Sequence, residues 1–360
     1  MRVLQIAGMF PPGRCGVGDY VSSLAQGLAR VPGTQVAVLT QRSATRVPPA
    51  SVEVLGETGT WRLWELPRLV RSIRRWQPDV VHIHWPSQGF GWRLGPALLP
   101  ALCKWLGIAT VVQTWHEPWL GRDWLRFRLQ RRATDGLVFV RPNFMQLMPA
   151  RLLRFMPACP QRTFGSGGAL PRSTLSGDQR ARLRDRYLKG RRNLVAFFGF
   201  IYPKKGVEQL FEIADPAVDA LVIAGSVLDE PYAQRLAAIA RQHGWGEQLQ
   251  YTGYLEPEAA ADLLHAADAV VLPFVAGGGE WNTSLHGALA QGTLVVTTSE
   301  HPQGDDPQRN LYTAPVADVA GMRQALRTLA GRRSHAPARD EWAEIARAHV
   351  GFYSELAQPS

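Results

Sequence analysis

The chain has 360 residues, 46% of them hydrophobic, which is enough for two globular domains with separate cores and argues against a disordered or fibrous protein. Its three cysteines, Cys15, Cys103 and Cys159, are odd in number and lack metal-ligand spacing, so a reducing compartment fits and a disulfide scaffold does not. The net charge of +10 is unevenly placed: residues 1–190 hold 27 Lys and Arg against 10 Asp and Glu, whereas residues 191–360 hold 13 against 20. A basic first half suits an anionic membrane surface, a phosphorylated acceptor or nucleic acid. No nucleic-acid module or basic-aromatic platform emerges, so the last is not expected. No apolar run reaches the ~18 residues that span a bilayer, and Met1 leads straight into a strand without a signal-peptide pattern. The expected location is the cytoplasm, with peripheral attachment to the inner face of the membrane.

Val3-Leu4-Gln5-Ile6-Ala7 has the pattern of a buried strand and ends in a loop containing Gly13, Gly16 and Gly18. Val21, Leu24, Ala25 and Leu28 then recur at helical spacing. The glycine spacing does not fit the G-x-G-x-x-G dinucleotide fingerprint. A strand over Val36–Leu39 is followed by irregular sequence to about Ser51. Trp61 to Trp76 is expected to be one basic helix, and it feeds a strand, Val80-Val81-His82-Ile83-His84. A helix over Leu94–Leu106 leads to a further strand, Thr110 to Trp115, with His116 at its end. This βα alternation implies a parallel sheet whose strand C-termini open on one edge, where Gly16, His84 and His116 would collect. Trp119 to Arg132 is expected to be a cationic helix with exposed aromatics suited to a headgroup region. A strand over Gly136–Val140 and a helix near Asn143–Arg154 close the first domain, residues 1–165.

Residues 166–192 have the composition of a linker and one exposed helix. A second βα series occupies residues 193–335, with strands at Leu194–Phe198, Ala220–Ala224, Leu249–Tyr251, Ala269–Leu272 and Leu294–Thr297. Two of its connections bear chemistry. Gly199 to Glu208 brings Lys204 and Lys205 to the end of one strand, and Pro273 to Thr298 sets Gly277-Gly278-Gly279 ahead of a helix starting near Asn282. Free N–H groups at such a loop and helix start, beside two lysines, would hold a diphosphate. There is no P-loop and no Asp-x-Asp pair, so protein groups are expected to meet that charge, with no metal. The final segment, residues 336–360, carries a helix with Trp342, Ile345, Ala346, Phe352 and Tyr353 to bury.

These elements together resemble glycosyltransferase family 4. The resemblance covers nearly the whole chain and rests on Cys15-Gly16-Val17-Gly18-Asp19-Tyr20, Asp79 to His84, Thr114-Trp115-His116, Gly199 to Gly206, Tyr251-Thr252-Gly253-Tyr254 and Pro273 to Val296. It implies an α/β protein of GT-B type, two facing Rossmann-like domains with parallel sheets and an interdomain cleft, the C-terminal helix crossing back to the N-terminal domain. It further implies a transferase (EC 2.4) that moves a sugar from a nucleotide-sugar co-substrate, with retention and without a cofactor or metal. By residue match, Lys205 corresponds to the lysine on the donor diphosphate, Gly16 to the loop glycine near phosphates and acceptor, and His116 to the histidine lining the donor-sugar pocket. The expected catalytic pair is His116 and Lys205. Donor contacts are expected from Gly16, Lys204, Lys205, Gly278, Gly279, Glu280, Asn282, Thr283 and Ser284, and acceptor-side contacts from Gly18, Asp19 and His84.

The chain departs from the family pattern at three positions. Phe200 stands where the family has an arginine, and Gly279 and Gly287 stand where it has a pair of glutamates, the second of which binds the nucleotide ribose. Lys204 is the expected substitute for the arginine, and Glu280, Asn282 and His286 are the candidates for the ribose. The partners expected are a nucleotide-sugar donor and a glycan or polyprenyl-diphosphate-linked acceptor, in the synthesis of cell-surface polysaccharide. The alternative reading is a degenerate GT-B protein that serves as a binding or assembly partner. Sugar-nucleotide epimerisation would need acid and base carboxylates that these loops do not supply.

Overall fold

The computed structural model describes residues 1–13, 15–42, 51–91, 93–118, 124–334 and 340–357. The chain divides into two compact units, Met1–Ser166 with Asp340–Ser360, and Gly167–Arg339. The irregular sequence expected just before Ser51 and the first residues of the helix expected from Trp119 lie outside the described residues.

The first unit begins with β1 (Arg2–Ile6), α1 (Gly16–Ala29), β2 (Gln35–Gln41) and β3 (Glu53–Thr58). It continues through α2 (Leu66–Trp76), β4 (Val80–Trp85), α3 (Gly95–Trp105), β5 (Thr110–Trp115) and α4 (Trp124–Arg131). β6 (Gly136–Phe139), the short helices α5 (Phe144–Leu147) and α6 (Ala150–Leu153), and β7 (Gln161–Thr163) complete this run. The strands form one parallel sheet in the order β3-β2-β1-β4-β5-β6-β7. Helices cover such a sheet, so its central strands read as apolar runs, and Val3, Leu4, Ile6, Val81, Ile83, Val111 and Val112 are fully buried.

Three expectations for this unit are corrected. The helix expected from Trp61 begins at Leu66, because Trp61 has φ +55° and Glu65 gathers the preceding turn, accepting from Thr58 Oγ1 at 2.8 Å and Gly59 N at 3.0 Å. The single helix expected over Asn143–Arg154 is split at Pro149, which has no N–H to continue it. In α4 the aromatic Phe127 is fully buried while Leu125 and Arg128 are exposed, so the described part of that helix packs its phenylalanine into the core.

The second unit opens with α7 (Gly177–Leu188), whose start is a capping box: Ser176 Oγ accepts from Gln179 N, and Gln179 Oε1 accepts from Ser176 N. Then come β8 (Asn193–Phe198), α8 (Leu210–Ile213), β9 (Asp219–Ala224), α9 (Glu230–Gln242), β10 (Gln250–Gly253) and α10 (Pro257–Ala266). β11 (Ala269–Leu272), α11 (Thr283–Ala290), β12 (Leu294–Ser299), β13 (Gly304–Asp306), β14 (Leu311–Pro315) and α12 (Val319–Leu329) finish it. The sheet order is β10-β9-β8-β11-β12-β14-β13, parallel except for the β13–β14 pair. Sequence order reverses between β8 and β11, and in sheets of this kind ligands bind outside the strand C-termini at such a reversal. The two connections rich in glycine and lysine leave the sheet at that reversal.

The chain then returns to the first unit as α13 (Glu341–Ala357), which packs on α1 and β5. Gly27 of α1 is what permits the close approach: a Cβ there would stand 2.7 Å from the Trp342 carbonyl oxygen. Trp342, Ala346, Phe352 and Tyr353 are buried, the first two against Gly27, Phe352 against Gly136 and Tyr353 against His82.

Candidate active site

In the second unit the loop after β8 and the loop after β11 close on each other. Gly206 has φ +64°, and a Cβ there would fall 2.1 Å from the Pro273 carbonyl oxygen, so glycine is required for both conformation and space. A Cβ on Gly199 would lie 3.1 Å from Ser284 Oγ, which puts the first turn of α11 against the end of β8. Lys205 is drawn into this junction, with its ammonium 4.6 Å from the Phe274 ring centroid and 5.8 Å from that of Tyr202. Lys204 is exposed, and its carbonyl accepts from Val275 N at 3.4 Å. The neighbouring lysines thus stand in different environments: Lys205 is half-buried in an aromatic cradle, and Lys204 faces solvent.

The glycine loop differs from the sequence expectation in its amides. Gly277 N donates to Phe274 O at 3.2 Å, Gly278 N to Thr298 O at 2.7 Å, and Gly279 N to Asn282 Oδ1 at 2.8 Å. All three N–H groups expected to be free are therefore consumed, one closing the loop on itself, one holding it to β12 and one to the helix start. Asn282 is the N-cap residue of α11, but its side chain turns back to Gly279 and makes no cap bond. The opening amides of a helix have no intrahelical acceptor, and at Thr283 and Ser284 no side-chain cap covers them. The donors that remain for an anion are those of the helix start.

Glu280, Asn282 and His286 are near one another, but each is tied to a neighbour. Glu280 Oε1 receives Arg309 at 2.8 Å, while His286 Nε2 lies 3.2 Å from Glu280 O. The two positions where the resemblance implies glutamates hold glycines. A Cβ on Gly279 would meet the Trp281 ring at 2.3 Å, and one on Gly287 would meet Leu170 Cδ1 at 3.3 Å. A Cβ on Gly168 would in turn stand 3.3 Å from Gly287 N. The segment 168–173 is strapped to α11 by Gln291, which donates to Pro171 O at 2.9 Å and accepts from Ser173 N at 2.9 Å. Position 287 is covered by the chain itself.

In the first unit β4 and β5 bring a run of buried imidazoles together beneath α1 and α13. His84 Nδ1 and His116 Nε2 are 3.2 Å apart, and the His82 and His84 rings meet tilted at 35° with centroids 4.3 Å apart. His82 bonds Tyr353 Oη at 2.6 Å through Nδ1 and Thr114 Oγ1 at 2.7 Å through Nε2. His349 of α13 lies 5.6 Å from the His82 ring and bonds Ile345 O at 2.8 Å. Tyr20 of α1 sets its ring edge-on to His116 at 4.8 Å. Burial disfavours the charged form of every one of these imidazoles: His116 is pushed down to about 3 and His349 to about 4, and His82 and His84 lie well below the usual histidine range, with neighbouring histidines adding to the effect. The cluster is neutral at physiological pH.

Of the residues expected on the acceptor side, Gly16 is exposed at the start of α1 and Asp19 is half-buried one turn on. Burial raises the Asp19 carboxyl to about 6. Gly18 is buried because a Cβ would lie 2.7 Å from Met9 O, and His84 is wholly enclosed. Neither offers a surface, so the expectation that these two touch an acceptor is corrected: Gly18 allows a close backbone approach, and His84 reaches outward only through His116. The sequence alone assigns no site role to His82, Tyr20, His349, Tyr353 or Phe274. The period-two pair His82 and His84 was the available signal, since alternate strand residues share a face.

Residues 15–150 match the family model described as Glycosyltransferase Family 4, and residues 192–332 match that described as Glycosyl transferases group 1. The chain belongs to the glycosyltransferases. Solved structures similar to this glycosyltransferase share its GT-B fold. Sucrose-phosphate synthase from Thermosynechococcus elongatus is 16% identical, with a TM-score of 0.67 over 99% of this chain and 96% of that one. The catalytic domain of starch synthase IV from Arabidopsis thaliana, bound to ADP and acarbose, is 15% identical with a TM-score of 0.70 over 99% and 98%. Anabaena HepE in complex with UDP-glucose is 13% identical with a TM-score of 0.64 over 99% and 96%. No curated protein matches the glycosyltransferase by sequence.

Proposed function

We propose that this glycosyltransferase uses a nucleoside-diphosphate sugar as donor and transfers the sugar with retention to a glycan or polyprenyl-diphosphate-linked acceptor, in the synthesis of cell-surface polysaccharide. The observation that carries the donor assignment is the placement of Lys205 at the β8–β11 reversal, beside the uncapped start of α11. A cation and helix-start amides without a side-chain cap at one sheet edge suit a diphosphate and the charge it gains as the sugar leaves. That similar structures hold UDP-glucose or ADP supports the same chemistry.

In this reading Lys205 and the Thr283 and Ser284 amides bind the diphosphate, with Lys204 supplying longer-range attraction. Gly278 and Gly279 shape the loop, and Glu280, Asn282 and His286 flank the ribose. His116 contacts the donor sugar, and Gly16 and Asp19 face the acceptor. Protein groups meet the leaving-group charge without a metal.

The first unit supplies the reason for a lipid-linked acceptor and for peripheral attachment at the cytoplasmic face. Trp64 and Trp105 are 69% and 82% exposed. Arg62 lies 4.7 Å over the Trp64 ring, and Arg131 and Arg154 flank the exposed Phe155 at 5.3 and 4.8 Å. Exposed aromatics interleaved with arginine suit an anionic headgroup layer. Among the described residues no helix is long and apolar enough to cross a membrane.

The test is release of nucleoside diphosphate across a panel of donor sugars, with the anomeric configuration of the product read by NMR. Release dependent on acceptor, with the donor's configuration kept, supports the reading. Calorimetry that shows no donor binding would defeat it.

A further inference from the structure

His84 is completely enclosed, yet only one of its ring nitrogens has a partner. Nδ1 faces His116 Nε2 at 3.2 Å, whereas Nε2 is buried without a hydrogen-bond partner among the described residues. In the bond between the two rings one nitrogen carries the proton and the other accepts it, so two arrangements exist. If His116 Nε2 carried the proton, His84 would accept on Nδ1 and hold its own proton on Nε2, leaving a buried N–H with no acceptor. If His84 Nδ1 carries the proton, the enclosed Nε2 is a bare lone pair.

Orphaned buried N–H groups are rarer than under-used acceptors, so the second arrangement is favoured. Its effect passes to His116. Both rings are neutral in this environment, and a neutral imidazole that accepts on Nε2 has its proton on Nδ1.

We propose that His84 is a positioning residue that locks His116 in the Nδ1–H tautomer, so that His116 presents a hydrogen-bond donor to its ligand. In this state His116 cannot take a proton in the reaction, because its single lone pair is already held by His84. The ligand atom it meets is therefore an acceptor, a hydroxyl or anionic oxygen of the donor or acceptor sugar. The Tyr20 ring set edge-on to His116 and the His82 ring packed at a tilt against His84 hold the pair in register.

The functional part of this proposal rests on His116 contacting the sugar, as put forward above; the tautomer does not. Full-length protein labelled with 15N-histidine gives a two-bond proton–nitrogen correlation spectrum in which the two tautomers differ, with His116→Asn used for assignment. A His116 spectrum with protonated Nδ1 and bare Nε2 is expected, and protonated Nε2 would overturn the proposal. His84→Asn keeps an amide N–H where Nδ1 stood, whereas His84→Leu removes it. His84→Leu is expected to return His116 to the Nε2–H form and to lower kcat/KM by about ten- to a hundred-fold, as loss of a partner that fixes an imidazole does. His84→Asn is expected to hold kcat/KM within a few-fold of the parent. Equal losses in both variants, with the tautomer unchanged, would reduce His84 to a packing residue. If the parent protein transfers no sugar, the proposed function falls while the spectrum still decides the tautomer.

Discussion

Lys205 carries its ammonium 4.6 Å over the Phe274 ring, joining the loop after β8 to the loop after β11 at the point where the strand order reverses. The aromatic face restrains the lysine stem and is compatible with its charge, so the cation is positioned before any ligand arrives. Lys204, its neighbour, has no such cradle in the described contacts and is exposed.

The two lysines should therefore differ in effect. Lys205→Ala is expected to lower transfer by about 10²–10³-fold, the usual cost of one preorganised group facing developing charge. Lys204→Ala should lower it by less than about ten-fold and make the rate less sensitive to ionic strength, since an exposed charge acts through a screened field. Initial rates of nucleoside diphosphate release at two salt concentrations separate the cases, and equal losses would show that the cradle confers no advantage.

At Gly206 any side chain meets the Pro273 carbonyl oxygen. Gly206→Ala combines that clash with a left-handed backbone, which alone costs on the order of 1–3 kcal/mol. Urea unfolding of the variant should show a lower midpoint with an unchanged slope, and transfer should fall because Lys205 precedes the displaced residue.

Gly287→Glu would put at position 287 the glutamate that the resemblance implies there. Because position 287 is buried against Leu170, the substitution is expected to destabilise by about 2–4 kcal/mol and to leave donor affinity unimproved. Adding Leu170→Ala should recover part of the stability. Calorimetric donor binding that strengthened in the single variant would show that the strap formed by residues 168–173 moves aside.

The histidine cluster predicts an acid-sensitive first unit. An imidazole whose folded pKa lies below its unfolded value near 6.5 binds more protons when unfolded, so its contribution to stability is intact above about pH 6.5 and is lost as pH falls. Each of His82, His84, His116 and His349 contributes in this sense, at about 1.4 kcal/mol per pH unit below 6.5 until its folded pKa is reached. Asp19, raised to about 6, works in the opposite direction between its unfolded value and that pH, but it is a single group. Denaturation midpoints measured from pH 7.5 to 5 should be flat at the upper end and then fall; a midpoint rising toward pH 5 would contradict neutral burial.

The parts of this fold legible in the sequence were those whose physics is local. Buried parallel strands such as Val270-Val271-Leu272 write themselves as apolar runs, and Gly206 marks a turn without needing a partner. β3, β7, β13 and β14 were not foreseen, because strands near a sheet edge carry mixed residues and take their order from pairing. The glycine loop was located correctly, but its amides were not readable, since their acceptors are Phe274, Thr298 and the Asn282 side chain. Leu170 over Gly287 and Tyr353 on His82 join positions far apart in the chain, and no spacing rule links them.

The return of α13 to the first unit has a consequence for synthesis. Residues 167–339 form a complete unit of their own, spliced into another whose last helix is made afterwards. While that insert is being translated, at about 5–20 residues per second, the face of β4 bearing His82 waits without Tyr353 for roughly ten seconds or more. The second unit needs no residue made after it, whereas the unit that begins the chain cannot close until α13 has been added.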